Sequence, residues 1–566
     1  MVGVVYEIHC NKADKDDSVS DTGGGLYMKL ISIMFLIPLI GIIIWLVTYM
    51  YRRLGWWRSL IVGGSLTFLV LFEFHSLGRL PYVYGDEGYA FYDSFSIGRY
   101  GIDSHLMHNA VYSLSSGGQS VLYKYIAAPL LKVFGANLAA YRFPMALLMV
   151  IAIVFLIYTL YVSQVHPNVI TGCALMLCTA EWLLICGHWA DDCNIVVPFF
   201  ILMVTFAFRG LVGKKYNIYV AFVLLSLLAY CYVGVWISLP LIYIALFVMY
   251  WRKQKISWRD GLINIVISAV LLFPIGCYVL VQFFHVPPFK LAWFSVARLP
   301  VTRQGYSIIS FKGNVLLNIV NNVVGGFHQV MLGFDGFTPT SIQGFGLIYT
   351  VTLILAVMGI VVAFKRWRNS AFIQLMLLMT ICVLPIVAFV TDRTCFTHWS
   401  VVLFVITVWA GVGLGWILGL RGNLSWLFNL IKVVLVLAII VTTGKFTKYY
   451  FTEYVQWQPV SGWYVSFSQA QQFMEKLDSL SVRTYYGIPF DNRMIVECIK
   501  EADPHTINRI QNKYQCGNPP QTIQPGSAAY IVPKQNINKY RKLRVLPHKE
   551  WTLMGQKYVV YYKVSD

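Results

Sequence analysis

About twelve apolar stretches divide this chain, near residues 30–50, 59–75, 139–162, 167–185, 193–209, 216–232, 234–251, 261–284, 345–364, 371–390, 399–420 and 425–443. A helix needs roughly 20 mainly apolar residues to cross about 30 Å of hydrocarbon. With no water in that layer, the backbone must satisfy itself within a helix or a closed barrel. Stretches of this length predict an α-helical polytopic membrane protein with about 12 transmembrane helices. Composition agrees: 58% of residues are hydrophobic and 12% charged, where a soluble domain carries about a quarter charged. A soluble globular fold is excluded.

Charge orients the spans. Arg52, Arg53 and Arg58; Arg209, Lys214 and Lys215; Arg252, Lys253, Lys255 and Arg259; Lys365, Arg366 and Arg368; and Arg421 all fall on one side if the spans alternate. Short basic loops mark the cytoplasmic face. The opposite face then receives the loops near 76–138 and 285–344, the turns at 188–192 and 392–398, and the tail from 444. Part of the formal charge of +19 is this topology signal. The outer surplus, in Arg79, Arg99, Lys124, Arg142, Lys290, Arg298, Arg303 and Arg393, also suits an anionic group at headgroup level. Basic residues dispersed over membrane loops make nucleic acid a poor partner.

Residues 1–27 are polar and predict a disordered segment. The run at 30–50 is longer than a signal-peptide core and lacks a small-residue cleavage site, so it is expected to stay as an anchor helix. Most of the eleven cysteines sit inside spans as small apolar fillers. Cys498 and Cys516 share the outer tail, where a disulfide between them is an option. The tail, 444–566, turns polar, with an amphipathic stretch at 466–480 and strand-like runs at 482–488, 528–532 and 558–564. This pattern predicts a small extracytoplasmic α/β domain. The transmembrane domain occupies 28–443.

Only 25 of 566 residues are acidic, yet Asp86-Glu87 falls just past a membrane exit. The segment from Asp86 to Tyr92 predicts a helix lying along the interface, with Tyr89 and Phe91 on its buried side. For Asp93 and Asp103 the ordinary reading is a solvated loop residue or a helix cap. Glu181 lies in the outer part of a span, where an ionisable group tends to face a cavity. The loop at 285–344, with Trp293, Arg298, Arg303, His328 and Gly333-Phe334-Asp335-Gly336, is long enough to be a lid.

Three ordered motifs carry a resemblance. The first runs from Gly85-Asp86-Glu87 through Gly98-Arg99-Tyr100-Gly101 and Phe134-Gly135 to Arg142-Phe143. The second is His188-Trp189-Ala190-Asp191-Asp192-Cys193-Asn194. The third is Thr391-Asp392-Arg393 with His398, before a span continuing to Gly411, Gly413 and Gly415. Together they resemble the polyprenyl-phosphate-sugar dependent glycosyltransferases of the GT-C fold, the superfamily of protein O-mannosyltransferases and aminoarabinose transferases, in the form found in Gram-positive cell envelopes. The resemblance covers roughly 59–443; the first helix and the tail depart from it.

That resemblance implies transfer of a monosaccharide from a polyprenyl-phosphate donor to a hydroxyl of a cell-envelope polysaccharide or similar glycan, outside the cell membrane. By motif match Asp86 is the base, with Glu87 orienting it, binding acceptor or simply solvated. Arg393 fits the donor phosphate best, with Arg142 and Lys124 as further candidates. Asp191, Asp192, His188, Glu181 and His398 form the acceptor or second acidic set. One base without a second carboxylate nucleophile implies inversion. Adjacent acids at 191–192 could take a divalent cation shared with the first loop, though no ligand spacing demands a cofactor. The alternative class is a transporter or lipid-linked sugar flippase, against which stand charge-free span centres and the lack of a six-plus-six repeat.

Overall fold

The computed structural model describes residues 23–299, 308–332, 342, 344–391, 396–421, 425–454, 464–491 and 503–564. Asp392, Arg393, Arg303, the 333–336 motif, Cys498 and the start of the chain lie outside the described residues. Every apolar stretch contains a helix. Seven helices among the described residues are long and apolar enough to cross a membrane, and an eighth crossing is made if Pro167–Cys178 and Glu181–His188, bent by 57° to one another, form one span. Val196–Val212, Tyr216–Tyr230 and Leu239–Arg252 are apolar but shorter.

Glycines set the centre of the bundle. The most buried window of any candidate span, at 89%, lies in Thr397–Leu418. A Cβ on Gly172 would come 2.1 Å from the Gly411 carbonyl, and one on Gly413 would come 2.0 Å from the Leu355 carbonyl. The Ser400–Leu418 helix therefore touches Pro167–Cys178 with one small-residue face and Thr350–Arg366 with the other, backbone to backbone. In lipid, where apolar side chains gain little by leaving the solvent, such close approach drives helix association. The Trp426–Thr452 helix is the opposite case, with 6% of its window buried.

A second layer begins where the Trp56–Phe74 helix ends. A two-residue strand, Val83–Tyr84, runs directly into the Gly85–Tyr100 helix, which Gly101 closes in the left-handed conformation at φ 76°. Gly98 lets this helix lie against Leu122–Phe134, since a Cβ there would meet the Ala128 carbonyl at 2.4 Å. Phe91 is buried as expected, while Tyr89 is only half-buried. The 285–344 loop has more structure of its own than a lid of plain coil. Val315–Leu332 is helical because its apolar residues recur at helical spacing, and Ser295 docks on the first loop through the Val111 and Asn109 backbone.

At the chain's end a five-stranded sheet runs in the order Tyr514–Cys516, Thr484–Ile488, Ala528–Pro533, Gln556–Lys563, His548–Leu553. The first three strands are parallel and the last two join antiparallel. The amphipathic stretch is the Phe467–Asp478 helix, whose Phe473 packs on Trp551 and Tyr558 of the sheet. This region also reaches back to the first loop. Val83 and Tyr84 pair antiparallel with Val465 and Tyr464, and Phe91 meets Phe467 with ring centroids 5.7 Å apart.

Candidate functional site

The two acids of the first motif stand in different surroundings. Asp86, in the first helical turn, is half-buried, where an acid also favours the positive end of the helix dipole. Glu87, the next residue, is fully buried and accepts from Arg142 through Nε and Nη2, both at 2.6 Å. The Ala190 amide adds a 3.3 Å bond. Burial pushes the Glu87 carboxyl up, and Arg142 pulls against it. The solvated reading of Glu87 is therefore corrected. Arg142 also donates through Nη1 to the Leu77 and Leu80 carbonyls, at 3.1 and 2.9 Å. Its guanidinium thus ties the membrane exit to the helix start.

Lys124 is likewise committed. Its ammonium lies 2.6 Å from Asp93 Oδ2, and both side chains are buried. Ser113, Ser115 and the Ser104 amide complete the cage at 2.8, 3.1 and 3.0 Å. Burial alone would raise Asp93, but Lys124 and these donors outweigh it and hold the carboxyl well below its usual range. Asp103, 2% exposed, accepts from the His105 and Met107 amides and is pushed up to about 7, by burial first and by the nearby Asp93 charge second. Neither Asp93 nor Asp103 is the solvated loop residue their sequence surroundings suggest, because the 101–121 loop folds over them.

The three motifs meet. Gln119 Nε2 donates to the Asp86 carbonyl at 2.7 Å, and the next residue donates its amide to Asp192 Oδ2 at 3.0 Å. Asp191 Oδ1 accepts from the Asp192 amide at 2.7 Å. Cys193 Sγ donates to Thr397 Oγ1 at 3.2 Å, which brings in the third motif. His398 stacks on Tyr232 and donates from Nδ1 to the Thr391 carbonyl at 2.9 Å. Arg393 lies outside the described residues.

His188 and Glu181 sit deeper. His188 is fully buried, with Nε2 2.7 Å from the His75 carbonyl and Nδ1 3.1 Å from the Tyr450 hydroxyl. The carbonyl fixes the proton on Nε2, so Nδ1 accepts. Glu181 opens the second half of the bent pair and accepts from the Tyr349 hydroxyl at 3.1 Å.

Asp191, Asp192 and Cys193 offer ligand atoms within 4.8 Å of one another. Two carboxylates with a thiol are a mixed donor set, since oxygen suits hard divalent cations and sulfur softer ones. Both acids already accept main-chain N–H groups.

Sequence reasoning missed Glu73. It is fully buried at the C-terminal end of Trp56–Phe74, neither carboxylate oxygen has a hydrogen-bond partner among the described residues, and a Cβ on Gly187 would meet it at 2.5 Å. An acid inside an apolar span was the available signal. The Arg142 and Lys124 pairings were missed too; an arginine inside a span predicts an acidic partner by the same rule.

The arrangement is a helical membrane bundle bearing an acidic interfacial loop, capped by a mixed sheet. The fold is shared with the crystal structure of ArnT from Cupriavidus metallidurans bound to undecaprenyl phosphate, at a TM-score of 0.55 and 13% identity, over 89% of this chain and 97% of that one. The helical membrane fold expected from the apolar stretches is met in this likeness. No family model and no curated protein matches the chain.

Proposed function

We propose that this protein is an integral membrane glycosyltransferase that moves a monosaccharide from a polyprenyl-phosphate donor to a hydroxyl of an envelope glycan. On this reading about twelve helices cross the cell membrane, and both the acidic loop and the C-terminal sheet face outward. One observation carries the proposal: consecutive residues Gln119 and Ser120 hold the Asp86 backbone and the Asp192 carboxylate, so motifs far apart in sequence share one small region. The neighbour of like fold was crystallised with undecaprenyl phosphate, a lipid of the donor's chemical class.

The donor phosphate stays at headgroup level, so the catalytic groups must sit at the interface. Asp86 takes the acceptor proton as the hydroxyl oxygen bonds to the anomeric carbon, a contribution of about 10² to 10⁴-fold. The bond from that carbon to the phosphate oxygen breaks, and its electron pair leaves with the phosphate. Arg393 remains the candidate to stabilise that charge. Arg142 and Lys124, buried against Glu87 and Asp93, instead position the loop. Single displacement inverts the anomeric centre.

Sugar transfer by wild-type and Asp86→Asn protein, in nanodiscs supplied with polyprenyl-phosphate sugars and envelope glycans, tests the reading. Turnover falling about 10²-fold or more with donor binding intact is expected. A mutant with unchanged turnover removes Asp86 as base, and a wild-type protein that consumes no donor removes the transferase reading.

A further inference from the structure

At the end of the Trp56–Phe74 helix opposite the acidic loop, a cavity of about 510 Å³ is ringed by Arg58, Arg366 and Arg421, with His166, Trp367 and Trp416. The three arginines come from separate places in the chain: the start of one span, the last turn of Thr350–Arg366, and the residues just past Ser400–Leu418. No carboxylate lines the cavity, and none of the three makes an ion pair among the described residues.

The local polar groups leave the charge in place. Arg58 donates from Nε to Asn168 Oδ1 at 2.6 Å and from Nη1 to the Leu54 carbonyl at 2.9 Å. These bonds aim the guanidinium without neutralising it. The Leu420 carbonyl, a further acceptor at the rim, already takes Lys432 Nζ at 2.7 Å. Burial first, then the Arg58 and Arg53 charges, push His166 down, and its Nδ1 accepts the Asn168 amide at 3.3 Å. Like charges gathered around one space repel, and an anion entering from outside relieves them. Trp367 and Trp416 bring indole rings to the same rim, the side chains that favour headgroup depth.

We propose that this cavity binds a phosphate-bearing anion on the membrane face opposite the acidic loop. Arg366 and Arg421, the exposed members, grip the phosphate oxygens, and Arg58 completes the ring from within. Guanidinium forks suit phosphate through paired N–H donors. A lipid headgroup and free phosphate share this chemistry. The site does not depend on the sugar-transfer reading, since it stands on residues at the other end of the bundle.

The test uses the full-length protein in detergent, titrated with dihexanoyl-phosphatidylglycerol, dihexanoyl-phosphatidylcholine and inorganic phosphate. Phosphatidylglycerol binding about tenfold or more tighter than phosphatidylcholine is expected, falling by a similar factor in Arg366→Gln/Arg421→Gln. Arg252→Gln, at the end of another helix and outside the cavity, keeps wild-type binding and controls for general charge. Phosphatidylglycerol well above phosphate assigns the site to a lipid. Phosphate of equal affinity, lost in the same double variant, assigns it to a free anion. Equal affinity for all three probes, or a double variant that binds as wild type while melting normally, overturns the site. If the double variant does not fold, Arg366→Gln alone gives the same comparison.

Discussion

The acids of the second layer are held in two ways. Glu87 and Asp93 are gripped by cationic side chains from neighbouring helices, and both pairs are buried. Asp191 and Asp192 accept amide N–H groups from their own turn and from Ser120, while Asp86 stays half-buried. A cation neutralises a carboxylate and removes it from chemistry; an amide orients the carboxylate without neutralising it. The first kind builds the platform, and on the proposed reading the second suits a proton-accepting site.

The comparison breaks most visibly at Asp86. Asp86→Asn is expected to lower turnover about 10² to 10⁴-fold with little change in melting temperature, measured together on one preparation. Arg142→Leu should do the reverse. It leaves Glu87 buried without its cation, which costs about 3–5 kcal/mol, so thermal unfolding should shift strongly while turnover per folded molecule falls less than in Asp86→Asn. Adding Glu87→Leu to Arg142→Leu should recover much of that stability, because no buried charge remains. A double variant as unstable as the single one would show that the loop needs the ion pair itself.

Smaller effects sharpen the contrast. Tyr89 donates to Asp491 of the C-terminal region, so Tyr89→Phe should cost about 1 kcal/mol, seen as an earlier unfolding midpoint. Asp103 supplies a pH signature. Its carboxyl is raised to about 7 in the folded protein against about 3.9 in an unfolded chain, so the fold binds the extra proton between these values. Stability from this group is present below about pH 4 and is lost as pH rises through 7. Asp103→Asn should flatten that part of the melting-temperature profile, and an unchanged slope would assign the dependence to another group.

Much of this was legible in the sequence, and the reasons are local. Each apolar run of span length holds a helix among the described residues, seven of them long and apolar enough to cross a membrane, because in lipid a helix is the form open to such a run. The tail's strands at 484–488, 528–533 and 556–563 fell where alternation placed them. His548–Leu553 did not, since an edge strand opening His-Lys-Glu hides its pattern. The motifs marked residues that the fold brings together but not their states. Glu87 and Asp86 are neighbours in sequence, and only the arrival of Arg142 from another helix separates them. Gln119 and Ser120 carry no chemical signature of their own; their importance comes from where a glycine-rich turn puts their amides.

The pairing of Val83–Tyr84 with Tyr464–Val465, and the Tyr89 contact with Asp491 across 402 residues of chain, set an order of assembly. Ribosomes deliver the acidic loop early, with its partners Gln119, Lys124 and Arg142 close behind, but the strand and the acid that join it from residues 464–491 come much later. The strand ahead of the acidic loop and the Tyr89 contact therefore wait until residues 464–491 have been made. A chain truncated before Tyr464 would leave the residues ahead of Asp86 without their strand.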